Sequence, residues 1–281
     1  MLEHQLVLIH FDSYKKPYGL ICKSNQNLLY KFLAKTLFTG QRLIFVPECQ
    51  STNSLMLELT SKSALPEGTV VITSNQFAGR GQRGSTWQST AGMNLTFSVL
   101  LRPSFLSVKS QFALTIAASL SVFDFLQEKK LPDVKIKWPN DILVQRKKIC
   151  GMLIENSIHG ETINQSIVGI GLNINQTQFP VPTATSLSMV CERNFDLNEE
   201  LNLLLEKLEK RYLQLRSGRQ AELKEEYLRH LLSINQSQKF TSNGKEFDGM
   251  IKTVNEAGEL ILNVRGVEKS FSLKELTFIL E

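Results

Sequence analysis

Four stretches of this 281-residue chain bring together residue types that could do chemistry. The first, Gly79-Arg80-Gly81-Gln82-Arg83-Gly84, sets three glycines and two arginines within six positions, with Trp87 shortly after. Glycine takes positive φ and lets a backbone approach a ligand closely. A guanidinium presents a planar fork of donors that matches phosphate or carboxylate. Such a loop is either a cationic wrap around an anion or a solvated surface loop. The second stretch, Lys137-Trp138-Pro139-Asn140-Asp141, is followed by Lys148 and Gly151; taken alone, its Pro-Asn-Asp run is a common turn. In the third, Gly169-Ile170-Gly171-Leu172-Asn173, strand glycines leave space on one face. The fourth, Ser51-Thr52-Asn53, is made of preferred helix N-caps, whose hydroxyls and amides at a helix N-terminus also suit a polar ligand group. Gln76 stands just ahead of the arginine loop.

Composition narrows the classes. The length favours one large domain and one small one. Hydrophobic residues make up 42% and charged residues 21%, which gives a soluble globular chain with a sizeable core. A net charge of +5 suits an anionic ligand but is too weak to argue nucleic-acid binding by itself. Cys22, Cys49, Cys150 and Cys191 lack metal-ligand or CxxC spacing and read as reduced thiols in a cytoplasmic protein. His4, His10, His159 and His230 form no cluster. No signal peptide and no run long enough to cross a bilayer is visible.

The elements that must position these residues follow from periodicity. Residues 6–11 read as a strand and 27–38 as a helix; this opening segment carries no motif with chemistry. Strands are expected at 43–47, 69–73, 95–101, 134–138, 142–144, 149–155 and 167–175, the pair 142–144 and 149–155 forming a hairpin across a basic turn. Helices are expected over 107–127, over a stripe from Leu201 to Leu215 behind an Asp196/Glu199 capping box, and over 222–232. Residues 179–186 read as a loop. Many strands with few intervening helices argue α+β with a mixed or antiparallel central sheet. Past residue 233, short strand-like runs separated by Gly244, Gly258 and Gly266 read as a small five-stranded β-barrel. The expected organisation is an N-terminal extension over 1–45, a catalytic domain over 46–232 and a small β domain over 233–281.

Read together and in order, the arginine loop with Trp87, the Lys137–Asp141 stretch, Lys148 with Gly151, and the Gly169–Asn173 stretch resemble the biotin protein ligase (biotin–[acetyl-CoA carboxylase] ligase) family. The resemblance spans roughly residues 46 to 281, and the combination is highly specific. It implies a class II synthetase-like catalytic domain with an SH3-like C-terminal barrel. It implies that biotin's carboxylate attacks the α-phosphate of Mg·ATP to give biotinyl-5′-AMP and pyrophosphate, and that the acyl group then passes to one lysine of a biotin carboxyl carrier domain as AMP leaves. The first step joins two anions and needs fixed positive charge; no protein nucleophile is required, in keeping with the absence of a Ser/His/Asp or Cys/His constellation.

By the same resemblance, Lys148 and Arg80 meet the carboxylate and phosphate, with Arg83 as a weaker partner. Ser51, Thr52, Asn53 and Gln76 bind biotin's ureido ring and tail. Gly81 and Gln82 supply loop backbone around biotin and the adenylate, and Gly151 and Gly169 leave room for the biotin ring and tail. Asn140 and Asn173 lie on the nucleotide side near magnesium and the phosphates. Trp87 either stacks near adenine or packs in the core. Asp141 either holds metal or orients the incoming lysine amine. Arg146 and Lys147 form a solvated turn or dock an acidic carrier. The loop is expected to be disordered when empty and to close over the adenylate. Two departures stand out. Gln82 occupies a position where many members have arginine, which bears on retention of the adenylate. Residues 1–45 show no helix-turn-helix pattern, so a ligase without repressor function is expected, with no nucleic-acid or membrane partner. A homodimer through the central sheet is possible by analogy. The rivals are a lipoate or octanoate transferase of the same broad fold, a biotin-responsive DNA-binding regulator, and a binding module without activity.

Overall fold

The structure is a computed structural model that describes residues 5–8, 35–273 and 275–279. Its central element is an eight-stranded sheet with β1 (Gln5–Leu8), β2 (Arg42–Cys49), β3 (Val70–Gln76), β4 (Leu95–Leu101), β5 (Val134–Lys137), β6 (Asp141–Val144), β7 (Lys147–His159) and β8 (Thr162–Leu172). Their order is β1-β2-β3-β4-β8-β7-β6-β5. β1, β2 and β3 are parallel and every later neighbour is antiparallel. The mixed sheet of an α+β fold is therefore present.

Alternation assigns the two faces. Leu43, Phe45, Val70, Ile72, Phe97, Val99, Val168, Ile170, Cys150, Met152, Ile142 and Ile136 all turn into one large core. That face is covered by α2 (Phe112–Glu128), α4 (Leu197–Arg216) and α5 (Gln220–His230). The α4 stripe of Leu201, Leu204, Leu205, Leu208, Tyr212 and Leu215 is wholly buried, and Asp196 Oδ1 caps the helix by accepting from the amides of Asn198 (2.7 Å) and Glu199 (3.1 Å). On the opposite face α1 (Thr52–Lys62) covers only one end, over Ile44, Val46, Val71, Leu100 and Ile167. The rest of that face is left to the site.

Some elements differ from expectation for identifiable reasons. β7 and β8 run on to His159 and back from Thr162 as one long hairpin turning at Gly160 (φ +60°). Its outer arms are polar and exposed, so they lack the apolar alternation that marks a strand. β8 ends at Leu172 rather than 175, because Asn173 and Asn175 turn their side-chain amides to the carbonyls of Thr185 (3.0 Å) and Phe195 (2.8 Å). A five-residue helix, α3 (Leu187–Cys191), follows the proline-bearing loop and is capped by Ser186. The expected helix over 27–38 falls outside the described residues up to 34. Residues 35–38 are not helical: Glu209 accepts the amides of Leu37 (2.6 Å), Phe38 (2.9 Å) and Thr39 (2.8 Å), which ties this segment to α4.

The C-terminal part holds β9 (Ser237–Ser242), β10 (Lys245–Val254), β11 (Leu260–Val264), β12 (Val267–Phe271) and β13 (Thr277–Phe278) in a second, antiparallel sheet of order β12-β11-β10-β9-β13. Gly244, Gly258 and Gly266 all turn with positive φ. Among the described residues no ladder joins β12 to β13, so the observed pairing is a five-stranded sheet without shown closure. The apolar core is continuous across the expected boundary near 233, since Phe240, Ile251, Leu260 and Leu262 belong to the same cluster as the central sheet. Trp138 Nε1 donates to Gly258 O at 2.9 Å. A Cβ on Gly258 would stand 2.4 Å from Phe112, at φ +91°. Gly258→Ala is therefore expected to lower stability by roughly 3 kcal/mol through combined strain and overlap, read as a fall in the thermal midpoint. No described helix is long and apolar enough to cross a membrane.

Candidate active site

The uncovered part of the sheet floors a cavity of about 290 Å³, roofed by residues 80–87 and closed on one side by Leu276, Thr277 and Phe278 around β13. One row of paired residues crosses six strands beneath it: Thr73, Thr96, Gly171, Gly151, Asp141 and Lys137. Two glycines in the middle of that row make the floor bare main chain. Trp87 lies flat against it, because a Cβ on Gly171 would meet the indole at 2.3 Å and one on Gly151 at 3.1 Å.

Lys148 reaches this face through a break in the alternation. Gly151, Leu153 and Glu155 face the site, so a regular strand would turn Lys148 toward the opposite core. The β6–β7 register shifts here: Ile142 pairs with Cys150 and Leu143 with Lys148, leaving Ile149 as the extra residue. A bulge of this kind re-aims the side chains beyond it. The Lys148 ammonium sits 2.6 Å from Asp141 Oδ1, and the Lys137 ammonium 3.7 Å from Asp141 Oδ2. Two lysines thus share one carboxylate, leaving net positive charge at the edge of the cavity. Lys148 also stands 5.6 Å from the Trp87 ring centre, and Lys137 5.6 Å from that of Phe278.

The main chain of Lys148 is held from behind, its N–H donating to Thr183 O (2.7 Å) and its carbonyl accepting from Thr185 N (2.9 Å). Asn173 binds the carbonyl of Thr185 and does not line the cavity. It stabilises the segment that pins Lys148. Asn140 lines the cavity, but its Nδ2 donates to Met152 O, while Met152 N donates back to Asn140 O at 3.0 Å. That reciprocal pair fastens the turn after the cis Trp138–Pro139 peptide onto β7.

The other end of the cavity is a hydrogen-bond chain. Ser51 caps α1. Gln76 Oε1 accepts from Thr52 N at 2.9 Å, which leaves the Gln76 amide nitrogen to donate elsewhere. Ser98, fully buried below, reaches Thr52 Oγ1 at 2.7 Å and Asn53 Oδ1 at 2.6 Å. Asn53 Nδ2 donates to Leu153 O (3.1 Å) and Glu155 Oε2 (2.8 Å), and the same carboxylate oxygen receives Arg80 Nη2 at 2.8 Å.

Of the residues singled out from sequence, Ser51, Thr52, Asn53, Gln76, Arg80, Gly81, Gln82, Trp87, Asn140, Asp141, Lys148, Gly151 and Gly169 all line this cavity. The side chain of Arg83 lies outside the described residues; its backbone belongs to a single 3-10 turn over Gln82–Gly84. The space expected beside Gly169 is filled by Asn53, 2.3 Å from where a Cβ would sit, and that beside Gly151 by Lys148 and Trp87. Ser98, Glu155 and the Leu276–Phe278 wall were not anticipated, and Lys137 was singled out only as part of its motif, without a role of its own. Lys137 alternates with buried Val134 and Ile136, and Glu155 lies four residues beyond Gly151 on the same strand, so period two could have found both. Nothing in the sequence marks the β13 wall. The thiols near the site are inert: burial pushes Cys49 up to about 11 and Cys150 higher still. Among the described residues no group of three or more acidic, histidine or cysteine side chains is placed to hold a metal ion.

Residues 46–173 match the biotin/lipoate A/B protein ligase family. The chain is 31% identical over 266 residues to the bifunctional ligase/repressor BirA of Bacillus subtilis, covering 92% of this chain and 81% of that protein. It is 31% identical over 233 residues to the biotin–[acetyl-CoA-carboxylase] ligase of Mycobacterium tuberculosis, covering 80% and 85%. Among solved structures, the biotin protein ligase of Aquifex aeolicus in complex with biotin and ATP superposes with a TM-score of 0.71 at 27% identity, over 85% of this chain and 98% of that one.

Proposed function

The chain belongs to the biotin protein ligase family, and from that premise we infer that it activates biotin with ATP and transfers it to a lysine of a biotin carboxyl carrier protein. The observation that carries the reading is the Lys148–Asp141–Lys137 group beside a bare glycine floor. Forming biotinyl-5′-AMP brings a carboxylate against a phosphate. A fixed ammonium in a partly dehydrated cavity lowers the cost of that approach and stabilises the charge that builds up. Lys148 is assigned to the carboxylate and α-phosphate, and Lys137 to the adjoining anionic oxygens. Asp141 orients both ammonium groups. It is also assigned to orient the incoming carrier amine in the second step, in which the amine nitrogen bonds to the acyl carbon and AMP leaves with the electron pair of the broken C–O bond.

Thr52 and the free Gln76 amide supply donors to the ureido group. Asn53 and Asn173 act by positioning, since their amides are engaged with the protein itself. Arg80 is assigned a positioning role as well, because its guanidinium pairs with Glu155. Gly81, Gln82 and Arg83 form the tip over the intermediate, with Trp87 beside the nucleotide. Magnesium arriving with ATP would neutralise phosphate charge, and Asp141 is the carboxylate lining the cavity that would face it. The C-terminal sheet is read as an SH3-like barrel over 233–281 that lends Leu276, Thr277 and Phe278 to the catalytic domain over 46–232. We read the protein as a cytoplasmic ligase.

ATP–pyrophosphate exchange tests this directly. Exchange is expected with biotin and not with lipoate. Exchange with lipoate alone would reassign the acyl substrate, and no exchange with either would remove the ligase reading.

A further inference from the structure

We propose that Glu155 is a positioning residue that latches the arginine loop over the biotin end of the cavity. The proposal rests on the ligase reading for its substrate, but the latch itself is a matter of geometry. Residues 79–87 form a short hairpin: Trp87 N donates to Gly79 O (2.9 Å), Gly81 N to Ser85 O (2.7 Å), and Arg80 pairs antiparallel with Thr86. Because its two legs are tied together, fixing one point of the hairpin fixes Gly81, Gln82, Thr86 and Trp87 above the floor.

Arg80 supplies that point. Its guanidinium meets Glu155 Oε2 at 2.8 Å, and the same oxygen receives Asn53 Nδ2 at 2.8 Å. Asn53 cannot swing away, since Ser98 holds its Oδ1 at 2.6 Å and Leu153 O takes its other N–H. Glu155 therefore joins the loop to the first turn of α1, the same turn that presents Thr52, and it does so from β7, the strand that carries Lys148. The three ligand-facing parts of the cavity meet at one carboxylate. The Glu155 side chain is 37% exposed, so solvent and salt weaken the pair without abolishing it.

The test is a double-mutant cycle on the full-length protein with Glu155→Ala, Arg80→Ala and the pair. In the ligand-free protein, amide exchange of residues 79–87 is expected to quicken about tenfold in each single variant and no further in the double, as for two ends of one contact. Glu155→Ala is expected to raise the KM for biotin by about tenfold, with a smaller change in kcat. Since Glu155 is partly exposed, thermal unfolding serves as a control for folding. Multiplicative effects in the double variant would overturn the latch. So would unchanged loop exchange beside a raised KM, which would mean that Glu155 acts on the ligand itself. The exchange measurement needs no substrate, so it judges the latch even if biotin proves to be the wrong acyl group.

Discussion

Lys148→Ala is expected to lower biotin-dependent ATP–pyrophosphate exchange by about a thousandfold, equivalent to about 4 kcal/mol of transition-state stabilisation. The ammonium is the closest cation to Asp141, at 2.6 Å, and the bulge in β7 exists to bring it to this face. Among the described side chains no neighbour replaces it: Lys137 reaches only the far oxygen of the same carboxylate, at 3.7 Å, and Arg80 is turned to Glu155. The side chain is 38% exposed, so truncation leaves the core intact and the thermal midpoint nearly unchanged. Lys148→Arg is expected to recover little, because the longer planar fork cannot occupy the slot between Asp141 and the Trp87 ring. Exchange within about tenfold of the parent in Lys148→Ala would remove Lys148 from the chemical step.

The largest stability effect is expected at Arg211. From α4 it donates Nε and Nη2 to the two oxygens of Asp124 on α2, both at 2.7 Å, and Nη1 and Nη2 to Glu226 on α5, at 2.7 and 2.6 Å. Gln214 takes the remaining N–H at 3.2 Å. All five donors are used, and the side chain is only 8% exposed. Burial alone would lower the guanidinium's affinity for its proton, but the two carboxylates outweigh it and push its pKa upward. Arg211→Ala leaves both carboxylates uncompensated between three packed helices, at a cost of roughly 3–5 kcal/mol by denaturant unfolding. Replacing all three partners with apolar residues of similar volume is expected to recover most of that loss. The acid limb follows from Glu226, whose pKa is held below its ordinary value of 4.5 by its hydrogen bond to Arg211. A depressed carboxyl stabilises the fold above its unfolded pKa and loses that contribution as pH falls through the folded one. The parent should therefore lose stability below about pH 4.5 with a component that Arg211→Ala lacks. An unchanged midpoint at neutral pH would refute the stapling role.

What the sequence made legible is what alternation and turn chemistry encode. The strands of the central sheet and the α4 stripe followed from period two and period 3.6, and most residues around the cavity from the resemblance of four ordered motifs to one family. What escaped depends on contacts between distant segments. Residues 35–38 carry helical periodicity, yet Glu209, far along the chain, takes the amides of residues 37–39. The polar arms of the β7–β8 hairpin pair with each other and need no apolar face. The protein partners of Asn53 and Asn173, carbonyls and a carboxylate, are ones that only the fold brings near. The pairing of Arg80 with Glu155 was invisible because the two lie 75 residues apart in sequence. The β13 wall reaches the site by tertiary packing alone, through Phe278 beneath Lys137.

The glycine row has a mechanical consequence. Gly151 and Gly171 are direct partners on neighbouring strands, so the middle of the cavity's lower surface is peptide backbone on which the Trp87 indole rests, and its spacing is set by the interstrand hydrogen-bond ladder. Side chains lining an ordinary pocket yield to a misfitting guest by rotating about χ angles; a ladder in the middle of an eight-stranded sheet has no such freedom. The cavity behaves like a caliper with one fixed jaw and one adjustable jaw. The thickness of whatever lies between is gauged against the sheet, and all accommodation falls to the hairpin above, whose setting is governed at Arg80.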